Sequence, residues 1–455
     1  MKFYYTNVIT YAYRGIIYYI NILFFSIYNT LLTISIPFPT LSLIDIYIII
    51  TVSIFSVFAY IKLKYPFWSI QPCWHTYDYW RYLYRTPFVI QKSKSVKTKY
   101  LKHSNIITME YLDASEKTLV EYINLLQCFY IPSDKILFTI GKPDLNAIMT
   151  GHDIGSPYLS IYTDKQYQID LSNTEIPIKG IDKPIACMVS YPICIFYYTS
   201  RIPSYTKLNA YYWDYLCIHR NHKNSDYLRN LIQTHEYNQR YKSPDIPVSF
   251  FKKEVSLCQG IVPLIEYKSY TYYLQPIRMH RLPKHCIIIR IVKENISILF
   301  DFLENLQKPE YPSLFPFYAY PGISNIQVLI ESGQMYVYCL KQKEHIYGMY
   351  FMKKTYMTYE DLNNGNAIQL VASINNSNLP EVFVDGFMHS FADLLKTSVD
   401  KYHVLIIDGC SHNLSLLPDW HRLYFPIFEN DCAYYFYNFV YTGSPLLAKD
   451  VFILL

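Results

Sequence analysis

Residues 16–36 carry no charged side chain, and residues 41–61 carry only Asp45. Each stretch is long enough to cross a hydrocarbon core of roughly 30 Å as a helix. The "PFP" at 37–39 separates them and stops the first, because proline lacks the amide that a helix interior uses. Lys2 and Arg14 flank the first stretch, and Lys62 and Lys64 follow the second. Basic residues at both outer ends put both ends on the cytosolic side, so the pattern predicts a transmembrane hairpin with the rest of the chain facing the cytosol. No small-residue cleavage pattern favours a removed signal peptide. The competing reading is a pair of helices buried in a larger cytoplasmic globule, with Asn21, Asn29 and Asp45 in its favour.

Beyond these stretches, hydrophobic residues at 51% against charged residues at 17% exclude a disordered chain. Fifty tyrosines are a compositional bias, so a tyrosine cluster carries no functional signal here. The net charge of +5 arises from 41 basic and 36 acidic residues with no dense basic block, which gives nucleic-acid binding no electrostatic footprint. Ten cysteines are scattered without a CxxC pair. Their spacing fits no common zinc site, and they read as buried thiols of a reduced, cytosol-facing body with no metal.

From Pro66 onward, helix and strand patterns alternate. "EKTLVEYINLLQCFY" (116–130) places apolar residues at 119, 122, 125, 126 and 129, the spacing of a helical face. "PIACMVSYPICIFYY" (184–198) reads as a strand in which Pro192 marks a bulge or an edge. "LNAYYWDYLCIHR" (208–220) is a further strand, followed by a polar turn, an amphipathic helix from Ser225 to about Arg240, and the strand "IPVSFF" (246–251). A strand, turn, helix and strand in that order form an α/β unit whose helix N-terminus can receive an anion. The pattern returns with "NISILFDFLENLQ" as a helix, "NIQVLIES" and "QMYVYCL" as strands, a helix around 386–399, and the strand "YHVLIID" (402–408). "CAYYFYNFVY" (432–441) and "DVFILL" read as the last strands. Two successive α/β halves meeting near "RLP" (281–283) fit this order better than a barrel or a sandwich.

The unit "WDYLCIHRNHKNSDYLRNLI" (213–232) resembles a signature of the glycylpeptide N-myristoyltransferases, which runs approximately E-I-N-F-L-C-V-H-K into a basic turn and a helix. Three further stretches fall in the family's order. "YPFWSIQP" (65–72) is similar to Y-x-F-W-x-T-Q-P, "RMHRLP" (278–283) to K-L-Y-R-L-P, and "FPIFENDCAYYFYNF" (425–439) to F-G-I-G-D-G-N-L-Q-Y-Y-L-Y-N-W. The resemblance covers roughly residues 65–455 and marks a divergent member. It implies two tandem acetyltransferase-like (GNAT) α/β halves related by pseudo-two-fold symmetry: 65–280 binding acyl-CoA and 281–455 binding peptide, after a hydrophobic region 1–64.

The resemblance also implies a reaction: transfer of a myristoyl group from myristoyl-CoA to the N-terminal glycine of substrate proteins. The acyl-CoA is then a substrate, and no cofactor is permanently bound. Acyl transfer needs donors aimed at the thioester oxygen. The family supplies them from main-chain amides of its signature strand, here Tyr215 and Leu216. Without the family, both read as core strand residues. The family's base is the free carboxylate of its last residue, here Leu455. An α-carboxyl of pKa about 3.3–3.7 becomes a stronger base when apolar residues enclose it. "VFILL" (451–455) also reads as a plain terminal strand. Tyr65, Phe67 and Trp68 fall where the family packs aromatics on the coenzyme, and they read equally as interfacial aromatics after a membrane helix. Arg220, Lys223, Asn224 and Ser225 occupy the turn expected to face the coenzyme phosphates.

This chain departs from the family at several positions. Asp226, Tyr227, Leu228 and Arg229 replace further basic and small residues of the turn, and an acid at a helix N-terminus weakens a phosphate site. The family's T-A-G stretch corresponds to Lys252, Lys253 and Glu254, and its Y-W-H-R stretch to Ser269, Tyr270, Thr271 and Tyr272. G-x-G-D-G becomes "PIFEN" (426–430), which loses the φ > 0 freedom of glycine and leaves Glu429 near the acidic position. Peptide recognition is therefore changed or lost. Two alternatives follow: an acyltransferase with another amine acceptor, and a catalytically impaired, membrane-tethered binding protein. Elsewhere His219 and His222 form an HxxH without a third ligand, and "DGCSH" (408–412) lacks the G-x-S-x-G elbow of a nucleophile.

Overall fold

A computed structural model describes residues 43–84, 86–93, 95–169, 178–199, 202–223, 226–275, 281–306, 308, 314–362, 365–377 and 379–455. The chain divides into two units, Met1–Pro66 and Phe67–Leu455. In the first, the expected segment 16–36 lies outside the described residues. The second expected segment is the helix Leu43–Lys64. Its 22 residues span about 33 Å, and Tyr47–Lys64 is long and apolar enough to cross a membrane by length and composition. Lys62 and Lys64 close its last turn, where cations oppose the negative end of the helix dipole.

Among the described residues of the unit Phe67–Leu455, one sheet of fifteen strands runs through both expected halves. The strand Ile202–Ile218, the helix Asp226–Lys242 and the strand Ser249–Glu254 form an α/β unit in the first half. Gly365–Asn375, Pro380–Thr397 and Tyr402–Asp408 repeat it in the second. In each repeat the two strands pair in parallel, as a helical crossover requires. The halves also exchange strands. Ile136–Phe138 pairs with His345–Tyr359, and Phe317–Pro321 pairs with Ile178–Thr199. Phe428–Tyr437 is inserted between Ser249–Glu254 and Ile265–Tyr273.

Two local features correct or refine the sequence reading. "NIQVLIES", a strand by its β-branched content, is the helix Ile323–Glu331. Ile326, Leu329 and Ile330 bury one helical face, and Gly333 follows at φ +71, a conformation common just past helix ends. Pro192 lies inside a strand that has neighbours on both flanks. On one flank, Tyr158–Ile169 pairs only as far as Ser190, and Phe317–Pro321 begins at Ile193. Pro192 occupies the gap between them, where a residue without an N–H breaks no ladder bond.

The helix Asp226–Lys242 is unusual in burying polar side chains. His235 lies between the hydroxyls of Ser160 and Ser190, at 2.8 and 2.9 Å. Glu236 and Arg240 form a buried ion pair at 3.1 Å. Arg240 also donates to the carbonyls of Gln91 and Ser93, and Ser95 donates to Glu236 at 2.5 Å. Residues 91–93 and 95–102 are thereby strapped along the helix, with Thr98 donating to Gln233 at 3.1 Å and the Lys102 amide to Thr234 at 3.0 Å.

Candidate active site

Along Ile202–Ile218 the register against Ile178–Thr199 runs from Val189↔Asp214 to Cys187↔Cys217. One strand carries an extra residue there, which is a β-bulge. Tyr215 takes φ +49 within it, a left-handed conformation that strains a bulky residue by about 1–3 kcal/mol. Pairing with Ser249–Glu254 has already ended at Trp213↔Phe251. Tyr215 and Leu216 thus lie outside the paired register on both sides, and main-chain amides turned out of a ladder are what an oxyanion site needs. The Tyr215 amide donates to Oδ1 of its own neighbour Asp214 at 2.7 Å. The Tyr215 ring is buried beside Tyr130 and Phe138, at 5.5 and 6.1 Å between centroids.

Burial raises the Asp214 carboxyl above its usual pKa, against the opposing pull of Lys353 and of the Tyr215 amide. Burial lowers the Lys353 ammonium, while Asp214 works to raise it. The loss of water therefore outweighs the attraction between the two charges at this place in the sheet.

Leu455 is carried inward by a terminal strand. Val451–Ile453 pairs in parallel with Phe317–Ala319, and the Leu454 amide donates to the Ala319 carbonyl at 2.8 Å. Val451 to Leu454 are buried. Leu455 lines a small cavity together with Tyr191, Asn325 and Lys353. That cavity is below the roughly 300–1,000 Å³ of ordinary ligand pockets and has no room for a long acyl chain.

The segments matched to the family's peptide-recognising stretches come together on three adjacent strands. Ser269, Tyr270 and Thr271 pair with Asn430, Glu429 and Phe428, and Lys252, Lys253 and Glu254 pair with Tyr434, Ala433 and Cys432. Lys252 is partly buried between Glu254 at 2.7 Å and Asp408 at 3.3 Å. Glu429 forms an exposed pair with Lys268 at 3.0 Å.

Phe67 is buried against Trp68, with ring centroids 5.0 Å apart. Trp68 stacks on Phe251 at 5.9 Å, and Phe251 stacks on Trp213 at 5.7 Å, so both residues belong to an aromatic layer over the sheet. Tyr65 belongs to the other unit, with the Lys64 ammonium 5.4 Å from its ring centroid. Arg220 pairs with exposed Asp134 at 2.9 Å, and Lys223 is exposed. Asn224 and Ser225 lie outside the described residues. Asp226 pairs with Arg229 at 3.2 Å. In "DGCSH", Asp408 is committed to Lys252, and Ser411 and His412 accept the amides of Ser373 and Asn375 at 3.0 and 2.7 Å, which makes the segment a structural turn.

Sequence reasoning missed Asp214 and Lys353. Asp214 had a signal: it stands where the quoted signature has an amide side chain. Lys353 had a fainter one, a KK pair in an apolar strand, where alternation turns one of two neighbours inward.

The unit is thus a mixed α/β fold with a repeated parallel strand–helix–strand element and a main-chain bulge at its signature strand. Solved structures of Saccharomyces cerevisiae N-myristoyltransferase are similar to this chain in overall fold. One with bound myristoyl-CoA matches with a TM-score of 0.62 at 13% identity, over 86% of this chain and 94% of that one. A second with the same ligand matches at 0.62 and 13%, over 86% and 99%. A third, with myristoyl-CoA and inhibitors, matches at 0.60 and 14%, over 84% and 91%. The chain has the N-myristoyltransferase fold, as the sequence resemblance implied. No family model matches the sequence, and no curated protein does.

Proposed function

We propose that this chain is an acyltransferase that moves a myristoyl group from myristoyl-CoA to the N-terminal glycine of proteins. The observation that carries this reading is the left-handed bulge at Tyr215, within the fold of an N-myristoyltransferase. In the reaction the amine nitrogen attacks the thioester carbonyl, the C–N bond forms, the C–S bond breaks, and CoA leaves as the thiolate. The amides of Tyr215 and Leu216 would hold the carbonyl oxygen as it gains negative charge. The α-carboxylate of Leu455 would take the proton that the glycine ammonium must lose. Lys353, on the same cavity, would keep that carboxylate ionised. Tyr65, Phe67, Trp68, Arg220, Lys223, Asn224 and Ser225 are proposed as coenzyme contacts. The helix Leu43–Lys64 is proposed as part of a membrane anchor that leaves the enzyme facing the cytosol.

One observation favours a second reading. Asp214 occupies the Tyr215 amide, which supports a protein that binds acyl-CoA without transferring it. The pair of Lys252 with buried Asp408 supports a changed amine acceptor. Labelled myristoyl-CoA and glycine-starting peptides, incubated with the full chain in detergent, separate these readings. Transfer to free but not to acetylated N-termini is expected, with loss of transfer when several polar residues are appended after Leu455. Tight acyl-CoA binding without transfer to any amine sinks the transferase reading. Equal transfer by the extended chain removes only Leu455.

A further inference from the structure

The globular unit carries an exposed aromatic ridge that its own packing fixes outward. Tyr79–Leu83 is a short 3-10 turn in which Trp80 is 80% exposed and Leu83 70% exposed. Tyr79, Tyr82 and Tyr84 are also exposed. The turn is anchored from within. Asp78 receives His75 at 2.9 Å and Arg81 at 3.2 Å, and Arg81 also donates to the Cys73 carbonyl at 2.8 Å. Isolated exposed apolar residues need no explanation, but a contiguous set on a braced turn marks an interaction site.

A basic strap continues from that ridge. Tyr84 packs on Phe88 at 5.0 Å, and the chain then runs into residues 91–102, tied to the helix Asp226–Lys242 as described above. Lys92, Lys97, Lys99 and Lys102 are exposed on it. Between residues 79 and 109 the sequence holds seven Lys or Arg and no Asp or Glu. The rest of the chain has 34 basic and 36 acidic residues, so this one stretch supplies the whole positive excess. Fourteen residues separate Tyr79 from Lys64, the end of the apolar helix.

Exposed Trp and Tyr beside clustered lysines, a short distance along the chain from an apolar helix, match the two chemistries of an anionic bilayer surface. Aromatic rings suit the headgroup level, and lysines suit acidic headgroups. We propose that residues 79–102 form a second membrane contact on the globular unit itself, with Trp80 and its neighbours entering the interface and the strap lysines meeting anionic lipid headgroups. This contact does not depend on the acyltransferase reading.

The test uses the full chain with vesicles of phosphatidylcholine alone or with about a third phosphatidylserine, each containing lipids brominated high on the acyl chain. The difference in quenching between the wild type and Trp80→Phe isolates Trp80 among the five tryptophans. Quenching of Trp80 is expected with phosphatidylserine, falling severalfold when Lys92, Lys97, Lys99 and Lys102 are changed to Gln, and falling again at high salt. Near-UV circular dichroism identifies any variant that has lost its fold. A Trp80 signal that no vesicle quenches overturns the proposal, as does equal quenching with neutral lipid and with the lysine variant. Lysine changes that abolish oligonucleotide binding while leaving lipid quenching intact also overturn it, in favour of a nucleic-acid surface. Quenching that persists when the helix Leu43–Lys64 is shown by carbonate extraction not to span the bilayer keeps the proposal and removes only the anchor.

Discussion

Asp214 accepts the backbone N–H of Tyr215 at 2.7 Å, so the first of two amides that a main-chain oxyanion site would use is already held by a carboxylate. A hydrogen bond to a charged group is worth about 1.5–3 kcal/mol net, and a fixed negative charge next to a developing oxyanion opposes it further. Asp214→Asn removes the charge at nearly constant shape. The barrier to acyl transfer is expected to fall by about 1–2 kcal/mol, a roughly five- to thirtyfold gain in kcat, in steady-state assays at neutral pH. A loss of similar size in kcat would mean that Asp214 holds the acceptor amine rather than latching the amide.

Lys252 offers a second test, because its partners are unequal. Asp408 is fully enclosed, whereas Glu254 reaches solvent, so removing the lysine strands one buried carboxylate and frees the other. Breaking a buried pair from one side typically destabilises by about 3–5 kcal/mol. Lys252→Met is expected to lower stability by about 3 kcal/mol in urea denaturation, within that range. The double change Lys252→Met with Asp408→Leu is expected to recover most of it, since a well-packed apolar pair of similar volume needs no counter-charge. Additive losses would show that the two side chains do not act as a pair.

These two networks mark where sequence legibility ends. The strand Tyr402–Asp408 was visible from its uninterrupted apolar run, and the helix Glu116–Phe129 from its period and the Ser115 cap. The three segments matched to the family's peptide side, two of them far from the third in sequence, lie on adjacent strands, a neighbourhood that period and propensity alone do not specify. The resemblance pointed to the amides of Tyr215 and Leu216 but not to the bulge that carries them, since nothing in an apolar strand announces a left-handed tyrosine. The strand exchange between halves was not legible, because period and propensity specify which face of a strand is buried and not which strand lies beside it. The strap 91–102 is not legible because uncharged residues separate its lysines and no basic run forms. Its meaning depends on the helix beneath it, which takes the serine, threonine and backbone groups and leaves the lysines outside.

Acid sensitivity follows from two histidines, His235 fully buried and His412 half-buried. Burial pushes His235 down to about 3 and His412 down to about 4, from a usual value near 6.5. Both are neutral in the fold, and the unfolded chain takes up their protons as pH falls below about 6.5. The unfolded state therefore binds more protons, and stability falls with falling pH from about 6.5 until the folded-state values are reached. Each histidine contributes a slope of up to about 1.4 kcal/mol per pH unit in that window. Chemical denaturation between pH 7 and pH 5 is expected to show this loss, and His235→Gln is expected to reduce its slope by about one proton. An unchanged slope in a folded variant would place the titration elsewhere.

The terminal strand separates main-chain from side-chain roles. Phe452 packs against Phe315, Tyr318 and Phe351 at 5.9, 6.0 and 5.2 Å between centroids. Phe452→Ala is expected to destabilise by about 3–5 kcal/mol through the cavity it leaves. Leu455→Ala keeps the α-carboxylate, and Leu455 lies at the rim of the core rather than inside it. If the base is that carboxylate, Leu455→Ala is expected to keep kcat within about threefold, under ~1 kcal/mol of barrier. Appending residues after Leu455 is expected to abolish transfer without a comparable loss of stability, because the strand pairing stops at Ile453 and Leu454. A hundredfold loss in Leu455→Ala at unchanged stability would assign the role to the leucine side chain. Unchanged activity in the extended chain would assign the base to another group.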